Sequence, residues 1–382
     1  MTGQVRAAAW SSEVRDTGAG LDALGDEWDD LAGRCATATP FQSYAWLRSW
    51  WQAYGRPGRL RVALVRRDGL LVAAAPLLLR RPGGCPVLTP LGGRFSDFTD
   101  VLLDDARSPE DAAAQLAGAL LREPGWQAVD LPEVRPDAAA GTALWQAWPG
   151  GRWRFPASRC LELPAVPVAD LVRDLPAHAR KTVRRRLNQL GRAGIDVREV
   201  AAGDAGRGVR DLLALHARQW EGRGGNPEHL SPAFATFLGA AVPDMIAGGR
   251  AALYEYRDGA TLVASSLILL GHHLVGGYLY GADPALREKV DVTTLLLADA
   301  LPLAAARGAV MSMLRGAEPH KLVWQPHAVL NERLLLARPG SAAGAAYAAA
   351  ARTGHHARET AKRHAPWLRE VRDRVRRRGG RR

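Results

Sequence analysis

The chain has 382 residues, of which 47% are hydrophobic and 24% charged. That is too long for one ordinary core and fits two domains of about 150 residues each, and the mixture excludes general disorder. The net charge of +12 is concentrated at one end: residues 338–382 hold 13 Lys/Arg against 3 Asp/Glu, while the remaining residues are nearly neutral.

In chain order, residues 1–18 read as an edge strand or a loose lead-in. GLDALGDEWDDLAGRC reads as a first helix and SYAWLRSWWQAYG as a second, with Trp46, Trp50 and Tyr54 four apart on one face. LRVALVRRDGLLVAAAPLLLRR is strand, Asp-Gly, strand, the strongest short-range hairpin signal in the chain. PVLTPLGG and the stretch through VLL supply another strand, SPEDAAAQLAGALLREPG a helix with a capping serine, and WQAVDLPEV a strand.

The second half repeats much of that order. LPAHARKTVRRRLNQLGRAG is a helix, IDVREV a strand, and GVRDLLALHARQWEGR and SPAFATFLGAAVPDMI are helices. A second Arg-Asp-Gly hairpin follows in ALYEYRDGATLVASSLILL, then the strand LVGGYLYG, a polar loop, the helix TTLLLADALPLAAARG and the strand AVMSML. Arg67-Asp68-Gly69 and Arg257-Asp258-Gly259 occupy equivalent places, so the repeat favours two related α/β lobes. The boundary falls in residues 136–167, where Trp, Pro and Gly alternate without periodicity. This divides the chain into residues 1–160, 161–337 and a basic tail at 338–382. The tail opens with an Ala-rich hinge or helix and continues as a basic amphipathic helix with Trp367, Val371 and Val375 on one side.

Several residues in this order match a known family. YGADP, the following helix and LRGAEPHKLVW resemble the closing segment of GNAT-superfamily acetyltransferases of the cellulose-biosynthesis type. PFQSYAWLRSWWQAYG, LVAAAPLLLRR and LGGRFSDFTDVLL are similar to that family's opening, so the resemblance spans roughly residues 20–335. It implies an α/β (α+β) fold of two tandem GNAT-like lobes with mixed central sheets, plus the basic C-terminal helix. It also implies an N-acyltransferase taking an acyl group from acyl-CoA to a small amine or amino sugar. Such proteins are similar in architecture to Fem-type transferases, which carry two GNAT-like halves and use aminoacyl-tRNA. The acetyl-CoA loop of GNAT enzymes, Gln/Arg-x-x-Gly-x-Gly/Ala, is absent, and Arg287-Glu288-Lys289-Val290-Asp291-Val292 stands in its place. The carrier is therefore open between CoA and tRNA.

Direct acyl transfer needs an amine held at the carbonyl, a base for its proton and a donor for the oxyanion. Glu318 or His320 is placed to deprotonate the amine, and Lys321 or Arg315 to neutralise phosphate or oxyanion. Glu318 and Lys321 match the family's acidic and lysine positions; a surface Glu–Lys pair is the alternative. Thr293 and Thr294 open a helix whose first-turn N–H groups attract anions, with Arg287 and Lys289 nearby, although Asp291 would repel a diphosphate. Asp97 and Asp100 are candidates for the amino substrate, Asp97 by its match to the family, with Trp220 and Tyr280 as further substrate contacts. Lys181, Arg184, Arg185 and Arg186 wrap well over half a helix, which predicts one or two functional arginines; Arg184, Arg185, Arg186 and the tail are the candidate tRNA contacts.

Adjacent histidines at 272–273 and 355–356 point apart and predict no metal site. Cys35, Cys85 and Cys160 are odd in number and widely spaced, which predicts free thiols in a reducing cytoplasm. No apolar run approaches the ~18 residues of a membrane span, and the first residues lack a signal-type apolar core, so a soluble cytoplasmic protein is expected.

Overall fold

The computed structural model describes residues 8–222, 226–316 and 318–364. Its strands are β1 (Trp10–Arg15), β2 (Leu60–Arg67), β3 (Leu70–Arg80), β4 (Val87–Pro90), β5 (Leu102–Leu103), β6 (Ala128–Val134), β7 (Arg152–Leu163), β8 (Ile195–Glu199), β9 (Ala251–Asp258), β10 (Thr261–Leu270), β11 (Leu274–Ala282), β12 (Val310–Arg315) and β13 (His327–Ala337). They form one mixed sheet in the order β1-β2-β3-β4-β6-β13-β7-β12-β11-β10-β9-β8, with β5 beside β3.

Both Asp-Gly hairpins are present. Asp68 and Gly69 sit at φ 52° and 84°, the left-handed pair that a two-residue turn between twisted strands requires. In each half the hairpin leads to a parallel pair of strands joined through a helix: β4 and β6 through Pro109–Arg122, β11 and β12 through Val292–Arg307. The helix expected at the start of the chain is two pieces, Gly18–Asp22 and Gly25–Gly33.

The halves meet through β7 and β13, which pair antiparallel over most of their length. β13, the last strand, pairs on its other side with β6 of the first half, and β7 pairs with β12 of the second. The stretch read from sequence as a boundary therefore contains a twelve-residue strand at the centre of the sheet. Residues 160 and 161 both lie within it.

The Ala-rich segment is a helix, Ala342–His364, docked on this central pair. Arg333 reaches both oxygens of Asp130 at 2.8 and 2.6 Å, and the Tyr347 hydroxyl donates to Asp130 at 2.6 Å. Ala348 is buried and His355 stacks on Phe155. Trp367, Val371 and Val375 lie outside the described residues. Among the described residues no helix is long and apolar enough to cross a membrane.

Candidate active site

The second half contains a cavity of about 220 Å³ between β11, β12 and the Val292–Arg307 helix. Its origin is a strand that leaves its neighbour. β11 and β12 pair only where residues 274–276 face 310–312. β12 then shifts register against β7 between Ser312 and Arg315, and Leu314 takes φ 57°. A non-glycine residue in the left-handed region costs on the order of 1–3 kcal/mol and persists only where its surroundings enforce it. Here the Leu314 N–H is turned onto the Ser312 hydroxyl at 3.2 Å. Gly281 belongs to the same arrangement: a Cβ there would lie 2.4 Å from the His216 backbone nitrogen, so only glycine lets the Ala205–Trp220 helix pack this closely on β11.

Asp97, Tyr280, Thr293, Arg315, His320 and Lys321 all line this cavity. Asp97 comes from the first half, so the site is completed across the seam between halves. Its carboxylate pairs with Arg315, whose guanidinium also donates to the Arg94 carbonyl at 2.8 Å and lies 3.8 Å from Glu133. Asn331 of β13 bonds Glu133 at 3.0 Å and the Asp97 carbonyl at 3.4 Å, tying the central strand to the same cluster. Burial raises the Asp97 carboxyl above its ordinary range, against the opposing pull of Arg315.

Lys321 is already engaged. Its ammonium donates to the carbonyls of Met313, Arg315 and Gly316 at 2.9, 3.3 and 3.5 Å and meets Glu318 at 2.8 Å. It pins the diverging end of β12 while placing positive charge at the mouth of the cavity. Burial pushes Glu318 up, but the Lys321 bond and charge outweigh it, leaving its carboxyl below the usual range. His320 is held below the ordinary histidine value by burial, against the attraction of Glu318, and so carries a neutral imidazole near pH 7.

Other expected residues go elsewhere. Thr294 is fully buried, and both its N–H and its hydroxyl donate to Asp291, at 2.9 and 2.8 Å. With Arg186 at 3.4 Å on the same carboxylate, this helix start is closed by an aspartate, the opposite of an open anion site. Lys289 pairs with Asp258 and faces away from the cavity into a second groove. Arg287 does not line the cavity, but its charge reaches His320 and helps depress it. Trp220 ends its helix half-buried, with its ring 6.3 Å from that of His216, outside the cavity.

Asp100 turns into the core of the first half instead of pairing with Asp97. It accepts from Thr37 at 3.0 Å and from the backbone N–H groups of Val101, Ala139 and Ala140 at 2.8, 3.0 and 2.7 Å. Burial pushes it up to about 7 despite those bonds.

The second groove, of about 950 Å³, is lined by Arg180, Lys181, Arg184, Arg185 and Arg192 of the Ala177–Arg192 helix together with Lys289. Among the described residues Lys181, Arg184, Arg185 and Arg192 form no ion pair. More of these cations share one face than the sequence reading allowed, because positions 181, 184, 185 and 192 follow one helical stripe. Arg186 lies off that stripe, on Asp291.

Sequence reasoning missed Tyr278. Its ring packs on Phe41 and Trp46 of the first half, and its hydroxyl is buried with no partner beside the Asp97–Arg315 pair. LVGGYLYG offered part of the signal, a tyrosine within a buried strand, but the register shift opposite Leu267 and Ile268 leaves Tyr278 out of the pairing and sends its ring to the first half. Among the described residues no group of three His, Cys, Asp or Glu is placed to hold a metal.

Residues 177–322 match the family model of the acetyltransferase (GNAT) domain. No protein of curated function matches the chain. Among solved structures it resembles FemX, with a TM-score of 0.60 at 12% identity, covering 85% of this chain and 96% of that one. A conserved protein of unknown function from Bacteroides thetaiotaomicron VPI-5482 gives 0.56 at 13% identity, covering 86% and 100%. The C-terminal domain of a putative lysylphosphatidylglycerol synthetase from Agrobacterium fabrum gives 0.52 at 12%, covering 87% and 96%. At these identities the likeness is one of fold. Residues 177–322 thus carry the match to an acetyltransferase (GNAT) domain, and the chain as a whole shares the fold of FemX.

Proposed function

We propose that this chain forms an amide by moving an acyl group from an activated carrier to the amine of a small molecule or amino sugar. The observation that carries this reading is the splay of β11 from β12, closed by Asp97 from the other half. The donor lies in the splay and the amine approaches from Asp97, which holds it. His320, neutral near pH 7, takes the amine proton, since Glu318 is occupied by Lys321. Nitrogen bonds to the acyl carbon, the bond to the carrier breaks, and the carrier leaves with a proton. Arg315 and Lys321 set the positive potential that offsets the charge developing on the carbonyl oxygen.

The charge distribution favours aminoacyl-tRNA as carrier. Asp291 caps the helix start where a diphosphate would sit, while the neighbouring groove presents unneutralised cations suited to a phosphate backbone. The acyl-CoA reading rests on Thr293 and on Arg287 beside His320.

Binding and turnover with both donors decide between them. Affinity for aminoacyl-tRNA falling steeply between ~50 and ~200 mM salt, and lost in Arg184→Glu/Arg185→Glu, supports the tRNA carrier. Stoichiometric acyl-CoA binding untouched by that double variant reverses the assignment. Failure of either donor to bind or acylate any amine removes the transfer reading.

A further inference from the structure

Polarity changes along the cavity in step with the strands. At the closed end, where β11 and β12 are still joined, the wall is Ile268, Leu297, Ala300 and Met311, and Met313 follows just past the last paired residue. At the open end, where the strands have parted, lie Asp97, Arg315, His320 and Lys321. The helix runs back against the strands, so Thr293 faces the mouth and Ala300 the apex. Ligand chemistry is thus sorted by depth, with charge at the entrance and hydrocarbon at the base.

The size of the cavity says how much hydrocarbon fits. An apolar cavity of ~150 Å³ holds benzene, so ~220 Å³ spanning mouth and apex together accommodates at most roughly six to nine heavy atoms of the acyl group. An acetyl group would leave most of it empty. Two of the chain's four methionines stand on this wall, and an unbranched thioether adapts to chains of differing shape.

We infer that the group transferred at this site is a medium-length apolar acyl or aminoacyl chain, its carbonyl at Asp97 and Arg315 and its hydrocarbon against Ala300, Met311 and Met313. This rests on the acyl-transfer reading but not on the carrier. Neither a charged side chain nor acetyl matches the apex, where a charge meets no partner and a short group forfeits the burial.

The test uses acyl N-acetylcysteamine thioesters from acetyl to octanoyl, which carry no CoA or tRNA, bound to the full chain and followed by calorimetry. Each buried methylene raises affinity roughly fourfold. Hexanoyl should therefore bind at least about tenfold more tightly than acetyl. Ala300→Leu fills the apex and should abolish that preference. Met313→Ala widens the apex and should move the optimum to longer chains, which keeps the test open if the leucine variant does not fold. A flat series, absence of hexanoyl binding, or a preference unchanged in both variants overturns the inference. A clear preference with no transfer from any full donor leaves the ligand class standing and removes the transfer reading instead.

Discussion

The two halves are built from the same pieces and differ in what fills the gap between their parallel strands. In the first half β4 and β6 pair only at residues 87–88 with 128–129, and the space beneath the Pro109–Arg122 helix is packed by Leu88, Leu116, Leu120, Val129 and Trp126. Trp126 is 1% exposed, and its indole N–H is satisfied by the Leu120 carbonyl at 3.1 Å. In the second half the equivalent gap is a cavity lined by methionines, with Asp97, Arg315 and Lys321 at its rim. One splay has become core and the other has stayed a cavity. The first half contributes to that site from outside, by sending Asp97 and the ring surface of Phe41 and Trp46 across the seam. A packed partner thus buttresses an open one, and the GNAT match falls on the open one.

The sharpest way to break this comparison is Asp97→Ala. If the first half acts through this carboxylate, kcat/KM falls by ~10²–10³-fold, the scale for losing one preorganised electrostatic group. Because burial holds the Asp97 carboxyl above its ordinary range, acceptor binding should also weaken as pH falls through that raised value, and this limb should vanish in Asp97→Asn. Full activity in Asp97→Ala would mean that the halves are coupled only through packing.

Trp126→Ala tests the filled splay. It should cost about 3–5 kcal/mol in denaturant unfolding, the range for deleting a buried aromatic, with kcat of the folded fraction little changed. Met311→Ala in the open splay should cost less, because a side chain facing a void has fewer partner atoms to lose. Equal costs would show that the cavity is packed as tightly as its counterpart.

Lys321→Met separates anchoring from chemistry. The ammonium serves three carbonyls and Glu318, so its removal should cost about 1–3 kcal/mol of stability as well as activity. Lys321→Arg should restore part of both, since a guanidinium cannot reproduce three converging bonds from a point charge. Unchanged stability with activity lost would assign the charge wholly to catalysis.

What could be seen in the sequence was local. The Asp-Gly turns were legible because few residues besides glycine tolerate the left-handed conformation that each turn contains, and the long amphipathic helices because their period is short. β7 and β13 were not, for two reasons. β7 carries Pro156 and exposed arginines at 152, 154 and 159, so its pattern does not alternate cleanly. β13 pairs with β6, which lies some 200 residues earlier, and such pairing leaves no mark in a short window. At the site, Asp97 and Lys321 were singled out by their matches, and Arg315 and His320 by their place after a strand; all four line the cavity. The carbonyls converging on Lys321 and the orphaned Tyr278 hydroxyl depend on the Leu314 kink, which no local preference announces.

Asp97 and Asp100 bring the comparison down to one turn. They are three residues apart, and only the first reaches the seam. Asp100 is 4% exposed, has no cation against it, and is held by a hydroxyl and three backbone N–H groups. Its folded value near 7 lies above the ordinary carboxyl value of 3.8, so between these the native state keeps a proton that the unfolded chain has released. The sign follows directly: the contribution is fully present below 3.8 and is lost as pH rises through about 7. Wild-type stability should therefore decline relative to Asp100→Asn across that window, by up to about 1.4 kcal/mol per pH unit, the limit for one proton. Chemical denaturation at intervals from pH 4 to 8 measures the difference. A difference that stays flat would mean that the four donors keep Asp100 ionised in the core, and that it anchors the first half as a carboxylate throughout.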